Sequence, residues 1–481
     1  MKLTNLEKGD QMKKVAFGCA VLAALTLGAG EGFPLVVDFS RDAGVVRKLN
    51  GVCNAAPLAN AQTGSLEPLV RQLEIPCYRF HDAPLENPGI QLIDVSRIFP
   101  LFHADADDPR NYDFRATDDY LRQVVDAGAK IEFRLGESIE HSRRKYYVQA
   151  PPDFEKWADI CVHIIRHYNE GWANGFRWNI EYWSVWEEPD TNPELLTGAK
   201  NPFVNIYLPL YRTMARRIRK EFPELKICGP QGCGDRNLKV FVDYCAANGL
   251  PIDVYGWTAY SRDPEDYARV TRRIRAYLDE KGFRDTKIAI CEWHWGPESW
   301  HLWENITDER LARAWDADLC GIDSGAFAAA MLVHMQDVPV DFMYYYEMKS
   351  YLWGLFDARG FRLPSYWAFW AFAQVARGDV RVAAPANPRP GWWMLASKDR
   401  AAKRGQVLVT ALHAHGELMP TNSRVVRLKL LGGAKPVRVK LADGVREMTD
   451  FTSWKWNQGK QELVIDRDLG DSSIWLIEVE L

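Results

Sequence analysis

The sequence lacks an excess of either charge. Its 60 lysines and arginines stand against 64 acidic residues, for a formal net charge of −4. That balance offers no basic surface for nucleic acid and no polybasic patch for a membrane. Metal-ligand spacing is missing too: none of the nine cysteines lies at the interval from a histidine that zinc sites use. No metal or organic cofactor is expected. Nine cysteines in 481 residues are also too sparse for a disulfide framework. Cys161, Cys291 and Cys320, in apolar surroundings, read as buried thiols. The apolar run from Val15 to Ala29 falls short of the ~20 residues that span a bilayer. It follows Lys13 and Lys14 and leads into small residues, so residues 1–30 read as a secretory leader. A secreted or periplasmic protein, with no membrane partner after cleavage, is the expectation. No glycine-rich turn follows the first expected strand, which argues against an open nucleotide-binding sheet.

What the chain has is aromatic area and a rhythm. Nineteen tryptophans supply core, and flat faces of the kind that stack on sugar rings. Short apolar runs alternate with amphipathic stretches. Strands are expected at 49–55, 76–81, 130–137, 180–188, 226–232, 253–261, 287–295 and 341–348. Helices are expected at 65–74, 117–128, 151–171, 205–222, 236–249, 263–282, 307–335 and 364–377, with Pro209 kinking the fourth. Eight strands, each followed by a helix, make an α/β fold of the (β/α)8 TIM barrel type over residues 49–380. The proline-rich stretch from Pro385 to Pro390 marks a boundary. Beyond it, short alternating runs at roughly ten-residue spacing predict a C-terminal β-sandwich domain over 385–481. The segment 33–40, within a lead-in at 31–48, is expected to add a strand to that sandwich.

In such a barrel, reactive groups gather at the C-terminal ends of the strands. The second expected strand ends in Arg79 and His81, the third in Glu137, and the fourth in Glu187 and Glu188. The sixth ends in Tyr260, the seventh in Glu292, and the eighth in Tyr346 and Glu347. Two glutamates facing each other over one cleft suit glycosidic bond cleavage. One serves as a protonated acid, the other as an ionised nucleophile. The fourth and seventh strands lie across the barrel from each other, so their ends can meet over its mouth.

The stretch "WSVWEEPD" at Trp183–Asp190, together with "ICEW" around Glu292, resembles glycoside hydrolase family 39 of clan A, which includes β-xylosidases and α-L-iduronidases. "RFH" at 79–81, "PPDFEKWADICVHIIRHYNEG" at 151–171 and "PSYWAFWAFAQ" from Pro364 are similar to further segments of that family. The resemblance covers most of residues 50–380. It implies a retaining enzyme with a carbohydrate substrate, β-xylosides foremost, in which Glu188 is the acid/base and Glu292 the nucleophile. It further implies that Arg79 and Tyr260 hydrogen-bond Glu292, that His81 reaches a sugar hydroxyl, and that Trp295 and Trp353 stack on the ring or wall the pocket. Two positions depart from the pattern. Glu187 stands where the family places an asparagine, and Thr258 where it often has histidine. Glu187 is therefore expected to touch the substrate and to mark a different sugar. Because both departures lie at the sugar pocket, a carbohydrate-binding protein on an altered barrel is the alternative.

Overall fold

The computed structural model describes residues 35–481 apart from 57–63, 82–90, 140–148, 191–200, 297–308, 350–351, 413–424 and 467–471. The expected leader lies outside the described residues. After a lead-in strand, β1 (Leu35–Asp42), eight parallel strands close into a barrel. They are β2 (Gly51–Cys53), β3 (Cys77–Phe80), β4 (Lys130–Leu135) and β5 (Tyr182–Val185), then β6 (Lys226–Cys233), β7 (Val254–Ser261), β8 (Lys287–Trp295) and β9 (Phe342–Tyr345). Closure comes from β2 pairing with β9, Val52 opposite Tyr345. Every residue of β3 and β5 is buried, as expected of a parallel sheet covered on both sides.

The helical shell follows local rules. Asp153 caps the helix Phe154–Asn169 by accepting from the N–H groups of Glu155 and Lys156. Pro209 is expected to kink its helix, and the hydrogen-bond pattern of that helix does change just before it. It sits in the first turn of Leu208–Glu221, after a single π turn at Phe203–Tyr207, where a missing N–H costs nothing. The expected continuous helix over 307–335 is two helices, Glu309–Leu319 and Ile322–His334. The break falls at Gly321, whose extended backbone brings it so close to the previous turn that a Cβ would lie 2.4 Å from the Ala317 carbonyl oxygen. Among the described residues no helix is long and apolar enough to cross a membrane.

The C-terminal β domain comprises β10 (Val380–Ala383), β11 (Trp392–Asp399), β12 (Arg404–Ala411), β13 (Val425–Leu431) and β14 (Lys435–Ala442). β15 (Thr449–Asp450), β16 (Trp454–Asn457), β17 (Glu462–Asp466) and β18 (Ser473–Glu480) complete it. β1 pairs antiparallel with β10 and parallel with β13, which makes one continuous ten-stranded sheet. Its apolar core includes Val37, Phe39, Trp392, Met394, Leu428 and Trp475. β10, paired with β1 and β11, lies ahead of the proline-rich stretch and already belongs to this sheet. β11 has no polar alternation to announce it: its first six residues are all buried.

Candidate active site

Strand alternation assembles the site. Arg79 and His81, two residues apart at the end of β3, both approach Glu187 and Glu292. Thr258 and Tyr260, two apart in β7, each hydrogen-bond a carboxylate. Arg79, His81 and Glu187 are wholly buried, and Glu188 and Glu292 nearly so.

The turn after β5 carries adjacent acids with different partners. Trp186 and Glu188 have positive φ angles of 68° and 32°, costly for residues with a side chain. The Trp186 N–H donates to the Leu135 carbonyl at 3.2 Å. Gly136 makes room for this turn, since a Cβ there would lie 2.8 Å from Trp186 Cα. Beyond Pro189, Asp190 accepts from the Cys233 N–H and the Asn237 side-chain amide, each at 3.1 Å, and ties the loop to the end of β6. In this frame Glu187 Oε2 accepts from Arg79 Nη2 at 2.5 Å. Glu188 Oε1 accepts from the Thr258 hydroxyl at 2.5 Å, with Cys233 Sγ 3.7 Å away.

Arg79 joins the walls of the barrel. Its Nε donates to Gln231 Oε1 at 2.7 Å, and Gln231 Nε2 donates in turn to buried Glu132 at 2.7 Å. Its Nη1 reaches the Cys291 carbonyl at 3.2 Å and Glu292 Oε1 at 3.4 Å. Burial opposes the Arg79 charge, but Glu187 and its other neighbours outweigh it and hold the guanidinium ionised. The Tyr260 hydroxyl donates to Glu292 Oε2 at 2.7 Å. His81 Nε2 lies 3.4 Å from Glu292 Oε1, and its Nδ1 lies 3.9 Å from Glu187 Oε2. Burial first, then the charges of Glu188 and Glu187, raise the proton affinity of Glu292 well above the usual carboxylate range, against the pull of Arg79 and Tyr260. The expected Arg79–Glu292 bond is thus the longer of two, and the shorter goes to Glu187. Among the described residues, His81, Glu187 and Glu292 are the one group of three whose metal-ligand atoms lie within 4.8 Å of one another. Arg79, in contact with both carboxylates, supplies positive charge there.

The two tryptophans part company. Trp353 is buried behind the site, its ring 5.5 Å from Tyr260 and 6.0 Å from Tyr346. Trp295 turns to the helical shell instead of the pocket. Its indole N–H donates to Asp318 at 2.9 Å, and its ring packs on Phe327 beneath the Arg262 guanidinium. His294 is held between the Tyr345 hydroxyl, 2.6 Å from Nε2, and the Trp295 carbonyl, 3.0 Å from Nδ1. Since that carbonyl only accepts, Nδ1 carries the proton. Gln231, Cys233 and Asp190 are site residues that sequence reasoning did not single out. The one available signal was a glutamine inside an otherwise apolar, glycine-flanked strand.

The chain is similar to known proteins. A sequence profile of glycosyl hydrolases family 39 matches residues 47–283. A beta-xylosidase of Geobacillus stearothermophilus is 26% identical over 172 residues, 31% of this chain and 32% of that protein. A beta-xylosidase of Caldicellulosiruptor saccharolyticus is 22% identical over 277 residues, 52% of this chain and 50% of that protein. The match thus spans 32% to 50% of the length of these curated relatives. A glucosidase structure from Croceicoccus marinus superposes with a TM-score of 0.73 at 22% identity, covering 93% of this chain and 99% of that one. With a closed barrel and buried glutamates at the ends of β5 and β8, these matches make the chain a protein like those of glycosyl hydrolases family 39.

Proposed function

We propose that the protein is a retaining glycoside hydrolase that cleaves O-glycosidic bonds of β-xyloside-like substrates. Glu188 protonates the departing oxygen while Glu292 attacks the anomeric carbon and forms a glycosyl ester. Glu188 then takes a proton from water, whose oxygen displaces Glu292 and frees the sugar. The observation that carries this reading is the placement of two nearly buried acids at the ends of β5 and β8, each held by its own hydroxyl donor, Thr258 or Tyr260. Burial first, and then the charge of Glu188, raise the proton affinity of Glu292. One proton shared by the pair is what double displacement requires: with Glu188 protonated, the main like charge opposing an ionised Glu292 is gone. The beta-xylosidase and glucosidase relatives support the substrate class.

The test is turnover of aryl β-xylosides and β-glucosides by Glu188→Ala and Glu292→Ala. Each should lose at least about 10³-fold in kcat while keeping its circular dichroism spectrum. A 2-deoxy-2-fluoro aryl glycoside should leave its sugar on Glu292, seen by mass spectrometry. Full activity in either variant sinks the mechanism. We also propose export, because the leader pattern of residues 1–30 precedes the first described strand. A periplasmic or secreted product whose N-terminus lies beyond that leader is expected. An intact chain confined to the cytosol refutes it.

A further inference from the structure

Gln231 is a polar residue inside the barrel, and the backbone is bent to put it there. It has no solvent exposure. In the pairing of β6 with β7, Pro230 lies opposite Gly256 and Gly232 opposite Trp257, so Gln231 is the extra residue of a bulge. Its φ is 62°, in the left-handed region that a side chain makes costly. Bulges re-aim side chains beside active sites. This one sends Gln231 toward Arg79 and Glu132. Gly256 leaves it room, since a Cβ there would lie 3.1 Å from Gln231 Nε2.

The neighbours' chemistry fixes what the amide does. Arg79 Nε can only donate, and it lies 2.7 Å from Gln231 Oε1. Gln231 Nε2 therefore faces the other way and donates to Glu132 Oε1 at 2.7 Å. Glu132 is the register partner of Arg79 on the adjoining strand and equally buried. Its Oε1 stands 3.8 Å from Arg79 Nε, beyond a hydrogen bond, so it acts through the amide. The arrangement needs only an acceptor at Glu132, charged or neutral. With Nε pinned, the planar guanidinium has one setting. Nη2 then meets Glu187 at 2.5 Å, and Nη1 meets the Cys291 carbonyl at 3.2 Å and Glu292 at 3.4 Å. Without the pin, the short bond to Glu187 would dominate, and the longer contact to Glu292 would be the first to go. We propose that Gln231, anchored by Glu132, is a positioning residue that holds Arg79 against Glu292. This deepens the hydrolase reading, in which Glu292 is the nucleophile, and rests on it.

The test is the pH dependence of hydrolysis of the aryl β-xyloside or β-glucoside that the wild type cleaves, read beside melting curves. Gln231→Met removes the acceptor and keeps the bulk. It should lower kcat about 10²-fold with KM within about threefold. The acidic limb of kcat/KM should move toward neutrality, because burial and the charges of Glu188 and Glu187 then act on Glu292 with less opposition from Arg79. The alkaline limb should stay. Gln231→Asn, whose amide falls a methylene short, should behave alike, so the outcome does not hang on one variant. Glu132→Met strands Gln231 Nε2 and should lose about tenfold in kcat, and Glu132→Gln, which restores an acceptor, should recover most of that. A uniform loss of rate with an unmoved acidic limb overturns the proposal. So does a normal kcat in either Gln231 variant, or failure of both to fold. Equal losses in the two Glu132 variants overturn the anchoring role. Glu292→Ala run alongside keeps the two readings apart. If it is inactive while the Gln231 variants turn over normally, only this inference falls; if it is fully active, the hydrolase reading falls.

Discussion

Arg79 gives its 2.5 Å hydrogen bond to Glu187 and only a 3.4 Å contact to Glu292. One guanidinium therefore serves two acids unequally, and the nucleophile candidate is the less favoured. Removing that cation strands a group of buried carboxylates. Arg79→Met should lower kcat/KM at least about 10³-fold and cost about 3–5 kcal/mol of stability. Arg79→Lys should not restore turnover, because an ammonium cannot span Gln231, Glu187 and Glu292 at once. Steady-state kinetics with thermal denaturation check both, and a lysine variant with near-normal turnover contradicts the argument.

Tyr260 is the hydroxyl that favours an ionised Glu292. Tyr260→Phe removes a donor to the charged form, so Glu292 should hold its proton to still higher pH. The acidic limb of the kcat/KM profile should move toward neutrality while the alkaline limb stays. A uniform drop in rate with no movement of that limb would assign Tyr260 to packing alone.

His294 makes stability depend on pH. Burial, partly offset by the bond to the Trp295 carbonyl, lowers its pKa from 6.5 to about 4. A depressed pKa means the neutral ring stabilises the fold above about 6.5. That contribution drains away as pH falls toward about 4, because the unfolded chain takes the proton first. The full effect is about 3 kcal/mol. Melting temperature measured from pH 7 to 4 should fall more steeply for the wild type than for His294→Asn. Parallel curves would rule the histidine out.

Gly136 lies under the turn that aims Glu187 and Glu188. A Cβ there would meet the backbone at Trp186 Cα, 2.8 Å away. Gly136→Ala should displace that turn by a fraction of an ångström and lower kcat by about 10²-fold, since misplacements of this size are enough to spoil attack geometry. Kinetics read against the melting curve decide it: a normal kcat shows that the turn tolerates the methyl group.

The barrel was legible because its strands are short, mostly buried runs between amphipathic stretches, two of which begin at aspartate caps, Asp153 and Asp263. The acids at strand ends were legible for the same reason. Trp295 was misplaced because its proximity to Glu292 in sequence outweighed strand alternation. Three residues on in β8 it lies on the opposite face, packed on Phe327. The break at Gly321 was hidden because apolar residues continue on both sides of it. Which carboxylate Arg79 would choose could not be read at all. Glu132, Glu187 and Glu292 come from three different strands or their ends, and only their distances rank them.

The placement of β1 sets an order of events. It leaves the ribosome before any barrel strand, yet its sheet partners β10 and β13 are made after the last of them. A strand with two unpaired edges must wait through nearly the whole of synthesis, with the barrel growing between it and its neighbours. Contacts so distant along the chain form slowly, and a waiting edge is open to the wrong partner. Completion of the β domain thus depends on the last strands to be made, and a chain interrupted before β13 leaves an edge of β1 without its partner.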